Sequence, residues 1–362
     1  MRFKGELLRL ARLFRGFTQR DLATALSVEP STISRVENGL IEPSSEFVDR
    51  AADVLKMPAD FFRQTDQIYG LPLSVHQSMW RKKAAASQHD IDRALAELNL
   101  RIMHLRRLVA ATEYKPLLPL PALDIESHDG DVEKVANMVR RTWLMPSGPI
   151  ADLTAWVERA GVFVVHADLL DAAMDGVTIR VPDTPPCIFL NRNQPADRMR
   201  FSLAHELAHL IMHRVPTATM EVEANAFAGA FLVPAHDIRP YFQGRRIDLP
   251  LLAGLKPEWR IAMAALLFRA KQLGYVNDNQ ARYLWQQFST HKIRLREPPE
   301  LDFPAEQPTL MPRLLSLHLD DLGYSLADMR KLLAMHEAEL ISFHKLNSVK
   351  GPTGRPPLRV VS

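Results

Sequence analysis

Apolar residues recur at helical spacing over most of this chain, and at strand-like spacing in a few short stretches, most of them ahead of residue 191. From Glu6 to Arg15, Leu7, Leu10, Ala11 and Phe14 share one helical face, and Gly16 stops the run. Thr18 is a good N-cap for a second helix, Gln19 to Leu26. After a short turn at Ser27-Val28, a third helix runs from about Pro30 to Asn38, with proline at an early helical position and Gly39 as its stop. Ser44 or Ser45 caps a fourth helix through Val54-Leu55, and Pro58 to Phe62 makes one more turn. Two helices joined by a tight turn inside a small bundle is the helix-turn-helix plan. In that plan the second helix lays its N-terminal residues in the major groove.

Gln88 to Thr112 is predicted as one long helix. Its Ile91, Leu95, Leu98, Ile102, Leu105 and Val109 alternate spacings of four and three, a heptad seam. Such a seam packs either on its own domain or on a second copy, and a homodimer would suit a module that reads two half-sites. A proline hinge follows at 116–121, then helices at Asp131 to Leu144 and Ile150 to Gly161. Val162 to Val165, Gly176 to Ile179 and Cys187 to Leu190 read as three short strands, rich in β-branched and apolar residues. They predict a small antiparallel sheet, whose edge can accept an extended peptide. Farther on, Pro257 to Leu273 and Asp278 to Phe288 read as amphipathic helices and His291 to Arg296 as a short strand. Residues 297–312 read as an extended linker. Helices at Pro312 to Gly323 and Ser325 to His344 precede a polar tail predicted to be disordered.

The chemistry concentrates in Leu203-Ala204-His205-Glu206-Leu207-Ala208-His209, an H-E-x-x-H run inside an apolar helix. Two histidines four apart project from one face, so both imidazoles can bind one Zn²⁺. Glu206, one step round, can act as a general base on water. Catalytic zinc needs a third protein ligand and an open position. The stretch Glu221 to Ala228 offers Glu221 as that ligand, with Glu223 as the runner-up, pointing away and solvated. Asn225 shares the face of Glu221 and can accept the spare N–H of a ligand histidine. His213 lies eight residues from His205, roughly 12 Å along a helix, and reads as a helix-end histidine. The elongated metzincin pattern is not followed, because Met212 and Val215 stand at its glycine and third histidine.

At 362 residues, 47% hydrophobic and 24% charged, the composition is that of a soluble globular protein of two or three domains. The one cysteine, Cys187, excludes a disulfide framework and suits a reducing, cytoplasmic setting. It is expected as a packed strand residue. No stretch is long enough to span a membrane, and the N-terminus lacks a signal-peptide layout. A net charge of +3 is too small to argue nucleic-acid binding, but Arg2, Lys4, Arg9, Arg12, Arg15 and Arg20 crowd the first segment and point weakly to phosphate.

The pattern T-Q-x-x-L-A…V-x-x-S-T-I-S-R-x-E-N-G, carried by Thr18 to Gly39, resembles the XRE family of phage-repressor-like domains. The resemblance implies Leu22, Ala23, Val28, Ile33 and Val36 as core, and Gln19, Ser31, Thr32, Arg35 and Asn38 as contacts to double-stranded operator DNA. Glu29 and Pro30 depart from the usual small polar cap. About half the chain resembles the ImmA/IrrE metallopeptidases, through Arg198 to His213, Glu221 to Pro234, Gly148-Pro149-Ile150 and Ala160-Gly161-Val162. That resemblance implies His205, His209 and Glu221 on zinc, Glu206 as catalytic base, Asn225 behind the ligands, and a protein substrate of the repressor type. The expected fold is mainly α, with a small α+β zincin-like (gluzincin-like) catalytic core and an N-terminal all-α helix-turn-helix bundle. The expected domains are 1–65 for DNA, 66–120 as linker and long helix, 121–300 as peptidase with following helices, and 301–362 as a C-terminal helical segment. The rival reading is a DNA-binding regulator whose peptidase-like half senses a ligand, metal or protein without cutting; an antitoxin-like partner protein is a third.

Overall fold

The computed structural model describes residues 2–66, 68, 87–169, 174–346 and the backbone of 358–360. The linker expected over 66–87 and the tail expected after residue 344 lie almost wholly outside the described residues. The chain divides into two compact units, one of residues 1–115, 180–185 and 309–362, the other of 116–179 and 186–308.

The first unit opens with α1 (Gly5–Phe14), α2 (Gln19–Leu26), α3 (Pro30–Glu37) and α4 (Ser45–Leu55). Thr18 and Asp21 close a reciprocal capping box at the start of α2, and Ser44 caps α4. Leu7, Leu8, Leu22, Leu26, Ile33, Val36 and Leu55 are buried and form the bundle's interior. α1 runs so close to the end of α3 that a Cβ on Gly5 would lie 2.1 Å from the Val36 carbonyl oxygen, so only glycine fits there.

The long helix α5 (Gln88–Ala110) packs on α1 and on the C-terminal helices of the same unit. Leu95, Leu98, Ile102 and Leu105 are buried there. The heptad seam is thus consumed within the chain, and these positions offer no dimer seam. At the C-terminal end lie α14 (Leu310–Ser316), a π-helical turn at Leu317–Asp321, α15 (Leu326–Leu333) and α16 (Glu337–His344). The single helix expected from Ser325 to His344 is two, because Ala334 takes a left-handed conformation at φ 50°.

The second unit contains α6 (Val132–Thr142), α7 (Leu153–Arg159), β2 (Phe163–Ala167), β3 (Gly176–Ile179) and β4 (Cys187–Asn191); β1 (Thr112–Tyr114) belongs to the first unit. The strand order is β2-β4-β3. β2 runs parallel to β4, Phe163 facing Cys187 and Ala167 facing Asn191, whereas β3 pairs antiparallel with β4, Gly176 facing Leu190. The sheet is mixed, not antiparallel as expected. The buried, near-continuous apolar runs of β2 and β4 are those of a strand pair covered on both faces. Cys187 opens β4 as a packed residue, and burial pushes its thiol pKa up to about 12.

Against β3 and β4 lies α8 (Ala196–Met212), which is covered in turn by α9 (Met220–Leu232); α6 packs on α9. α10 (Ala235–Phe242), α11 (Leu249–Trp259), α12 (Met263–Gln272) and α13 (Asp278–Thr290) complete the unit. The helix expected over Pro257 to Leu273 breaks at Arg260, another non-glycine residue in the left-handed region, with φ 52°. His291 to Arg296 forms no strand. The start of α8 is fixed from within the core: Lys256, fully buried, pairs with Asp197 and also with Glu297 at 2.7 Å. Glu297 in turn accepts the Met263 and Ala264 amides at the start of α12.

Candidate metal centre and nucleic-acid interface

α8 turns Leu203, Leu207, Leu210 and Ile211 into the apolar core. That rotation brings His205 and His209 together on another face, their ring centroids 4.7 Å apart. Their Nε2 atoms are 3.0 Å apart. Glu221, in the first turn of α9, brings one carboxylate oxygen to 3.4 Å from His205 Nε2 and the other to 3.7 Å from His209 Nε2. Zinc with bonds of about 2.1 Å in tetrahedral geometry sets its donors about 3.4 Å apart. The three side chains therefore have the spacing and chemistry to hold such an ion, and one oxygen or nitrogen from each lies within 4.8 Å of the others.

The far ring nitrogens are engaged too. His205 Nδ1 faces Asn225 Oδ1 at 3.1 Å. His209 Nδ1 faces His213 Nδ1 at 2.7 Å, and His213 Nε2 faces Glu223 Oε2 at 3.1 Å. Glu223 is thus not the solvated residue expected from sequence, and His213 is more than a helix-end histidine. The signal was available: His213 continues the four-residue spacing of His205 and His209, too far for the same ion but close enough for a neighbour's ring. Burial alone would lower the pKa of His205. The hydrogen bond to Glu221, the charges of Glu206 and Glu221, and Asn225 outweigh it and hold its pKa above the ordinary value.

Glu206 is 5% exposed. Thr178 Oγ1, from β3, donates to its Oε2 at 2.6 Å and to its backbone oxygen at 3.1 Å. A Cβ on Gly176 would lie 3.0 Å from Glu206 Cγ. The strand passes this close because it has a glycine where the carboxylate crosses it. Neither Thr178 nor Gly176 stands out by residue type in a strand, and the contact appears only once the sheet order puts β3 beside α8.

In the first unit α3 leaves Ser31, Arg35 and Asn38 exposed, with Thr32 and Gln19 half-buried. Arg12, from α1, bonds both oxygens of buried Glu37 at 2.6 and 3.1 Å, and Glu37 accepts the Gln19 amide at 2.7 Å. Asn38 Nδ2 donates to the Ser34 carbonyl at 2.8 Å. Half of the basic face read from the first segment is paired with acids: Arg12 with Glu37, Arg2 with Glu42 at 3.1 Å, and Arg15 with Glu339.

Residues 157–271 match the family model described as the IrrE N-terminal-like domain, Peptidase_M78, and residues 5–63 match the model described as a helix-turn-helix domain. Over 56 residues the chain is 38% identical to the uncharacterized HTH-type transcriptional regulator YazB of Bacillus subtilis (strain 168), a match that covers 16% of this chain and 81% of that protein. No helix among the described residues is long and apolar enough to cross a membrane. The chain belongs to the HTH-type transcriptional regulators, and it carries on residues 157–271 an IrrE-like peptidase domain of the ImmA/IrrE family.

Proposed function

We propose that this chain is a cytoplasmic transcriptional regulator that reads operator DNA through α3 and cuts a repressor-like protein with a zinc-dependent endopeptidase. The observation that carries the peptidase half is the convergence of His205, His209 and Glu221 beside the buried carboxylate of Glu206. His205 and His209 would bind through Nε2 and Glu221 through its carboxylate. Bound there, zinc would polarise the scissile carbonyl and lower the pKa of water. Glu206 takes a proton from the attacking water and delivers it to the leaving amine. Thr178 holds that carboxylate by its hydroxyl donor. β3 is an edge strand of the sheet, so an extended segment of the substrate can pair along it beside Glu206. Gln19, Ser31, Thr32, Arg35 and Asn38 would make the DNA contacts, with Gln19 oriented by Glu37.

The test is elemental analysis of purified wild type, His205→Ala and Glu221→Ala, followed by incubation of wild type and Glu206→Gln with repressor-like proteins. About one zinc per chain, lost in the first two variants, and cleavage lost in Glu206→Gln with zinc retained, is the expected result. No metal after zinc is offered defeats the peptidase reading. Metal bound without cleavage of any target, together with derepression on metal depletion, would instead make this half a sensor.

A further inference from the structure

Residues 314–344 follow the pattern of residues 7–37 position for position. Leu7, Leu8 and Leu10 correspond to Leu314, Leu315 and Leu317, and all six are buried. Gly16 at φ 71° corresponds to Gly323 at φ 69°. The capping box of Thr18 and Asp21 corresponds to one of Ser325 and Asp328. Each box opens an eight-residue helix, α2 or α15. Each helix ends on a left-handed non-glycine residue, Ser27 at φ 52° or Ala334 at φ 50°. Three residues later a second eight-residue helix begins, α3 or α16. The interior matches as well: Leu22 with Met329, Leu26 with Leu333, Ile33 with Leu340. Even the buried polar residue near the end recurs, Glu37 held by Arg12 and His344 held by His104.

The DNA-facing positions do not recur. Leu326 stands where Gln19 does, Ala338 for Ser31, Glu339 for Thr32 and Ser342 for Arg35. Glu337 and Glu339 put two negative charges in the first turn of α16, where a phosphate backbone would be repelled. Glu339 instead takes the guanidinium of Arg15, with one contact at 2.7 Å. Phe343 lays its ring edge-on to Phe14 with centroids 5.9 Å apart. Both partners sit at the end of α1.

We propose that residues 314–344 are a second helix-turn-helix that has exchanged DNA reading for protein docking, and that its partner is the N-terminal helix-turn-helix of the same chain. The helix equivalent to the DNA-reading one is the docking element. Glu339 and Phe343 supply the charge and the ring that Arg15 and Phe14 accept.

The test is a charge-exchange cycle in the full-length protein: Arg15→Glu, Glu339→Arg, and the two together. The readout is hydrogen exchange of the amides of α1 and α16. Each single variant should speed exchange in both helices by about fivefold or more, and the double should return it toward wild type. Unchanged exchange in the singles, or a double no better than either, overturns the docking contact. Lys345, where Asn38 stands in the first copy, supplies a second readout that needs no disruption of the fold. Lys345→Ala should leave the salt slope of binding to random-sequence duplex DNA unchanged. A slope lowered by about one would mean a phosphate contact and would overturn the loss of DNA reading.

Discussion

Each ligand histidine of the proposed centre has two ring nitrogens, and only the lone pair of one can face an ion. The contacts decide which. His213 faces the acceptor Glu223 through Nε2, so that nitrogen carries the proton and its Nδ1 is an acceptor. His209 Nδ1 must then donate to it, which leaves the His209 Nε2 lone pair aimed at His205 and Glu221. Asn225 Oδ1 sets His205 in the same way. His213→Phe and Glu223→Ala should therefore weaken zinc binding by about 10–100-fold without removing a ligand. Competition against a chelator of known affinity checks this; a folded variant with wild-type affinity would dismiss the pair. Gly176→Ala is a second test at this scale. Its new methyl meets Glu206 Cγ at 3.0 Å and Leu190 Cδ2 at 3.3 Å, so the carboxylate must shift. A displacement of 1 Å costs about 10²-fold in rate, so the smaller shift here should lower cleavage by less, roughly threefold to tenfold, while zinc content stays at wild type. Zinc lost together with activity would mean that the strand, not the carboxylate, had moved.

At the level of elements, helices were legible because their caps and apolar faces are local. Thr18 and Ser44 cap helices, Gly16 follows the end of one, and the H-E-x-x-H spacing lies within a single helix. Strand direction was not legible. An apolar run such as Cys187 to Leu190 has the same period whether its neighbour runs with or against it, and β4 pairs directly with β2 although β3 lies between them in the chain. The breaks at Arg260 and Ala334 were hidden because neither is glycine. Charge is only partly legible for a related reason: the sequence shows six cations but not that Arg2, Arg12 and Arg15 reach acids. Arg12 is the sharpest case, a buried guanidinium on Glu37 that ties α1 to α3 and positions Gln19. Glu37→Ala leaves that charge buried without its acid, and should cost about 3–5 kcal/mol of stability. Arg12→Met with Glu37→Leu should cost far less, because both charges go. Denaturant midpoints of the two variants compare them directly; equal losses would show that packing, not charge, sets the value of this pair.

The two units should answer to different solutes, since each holds its own titratable or metal-binding cluster. In the first unit His104 Nδ1 and His344 Nε2 face each other at 2.8 Å inside the fold. Burial lowers both pKa values, helped for His104 by His344, Arg107 and Arg101 and for His344 by Arg101; His344 falls to about 3. An unfolded histidine takes up its proton near pH 6.5, long before these do. The unfolded state then binds more protons, so stability falls as pH drops below about 6.5 and continues to fall toward 3. Between pH 7.5 and 5.5 the loss should be about 1.4 kcal/mol for each histidine. Zinc at the proposed centre would act on the second unit, which holds His205, His209 and Glu221. At a hundred times its dissociation constant it should add about 2.7 kcal/mol there. Calorimetry of the full chain at both pH values, with zinc or with chelator, separates the two. Acid should lower one transition and zinc raise another, and His104→Leu with His344→Leu should flatten the first response while sparing the second. A single transition that moves with both solutes would mean that the units unfold as one cooperative body, and each cluster would then stabilise the whole chain.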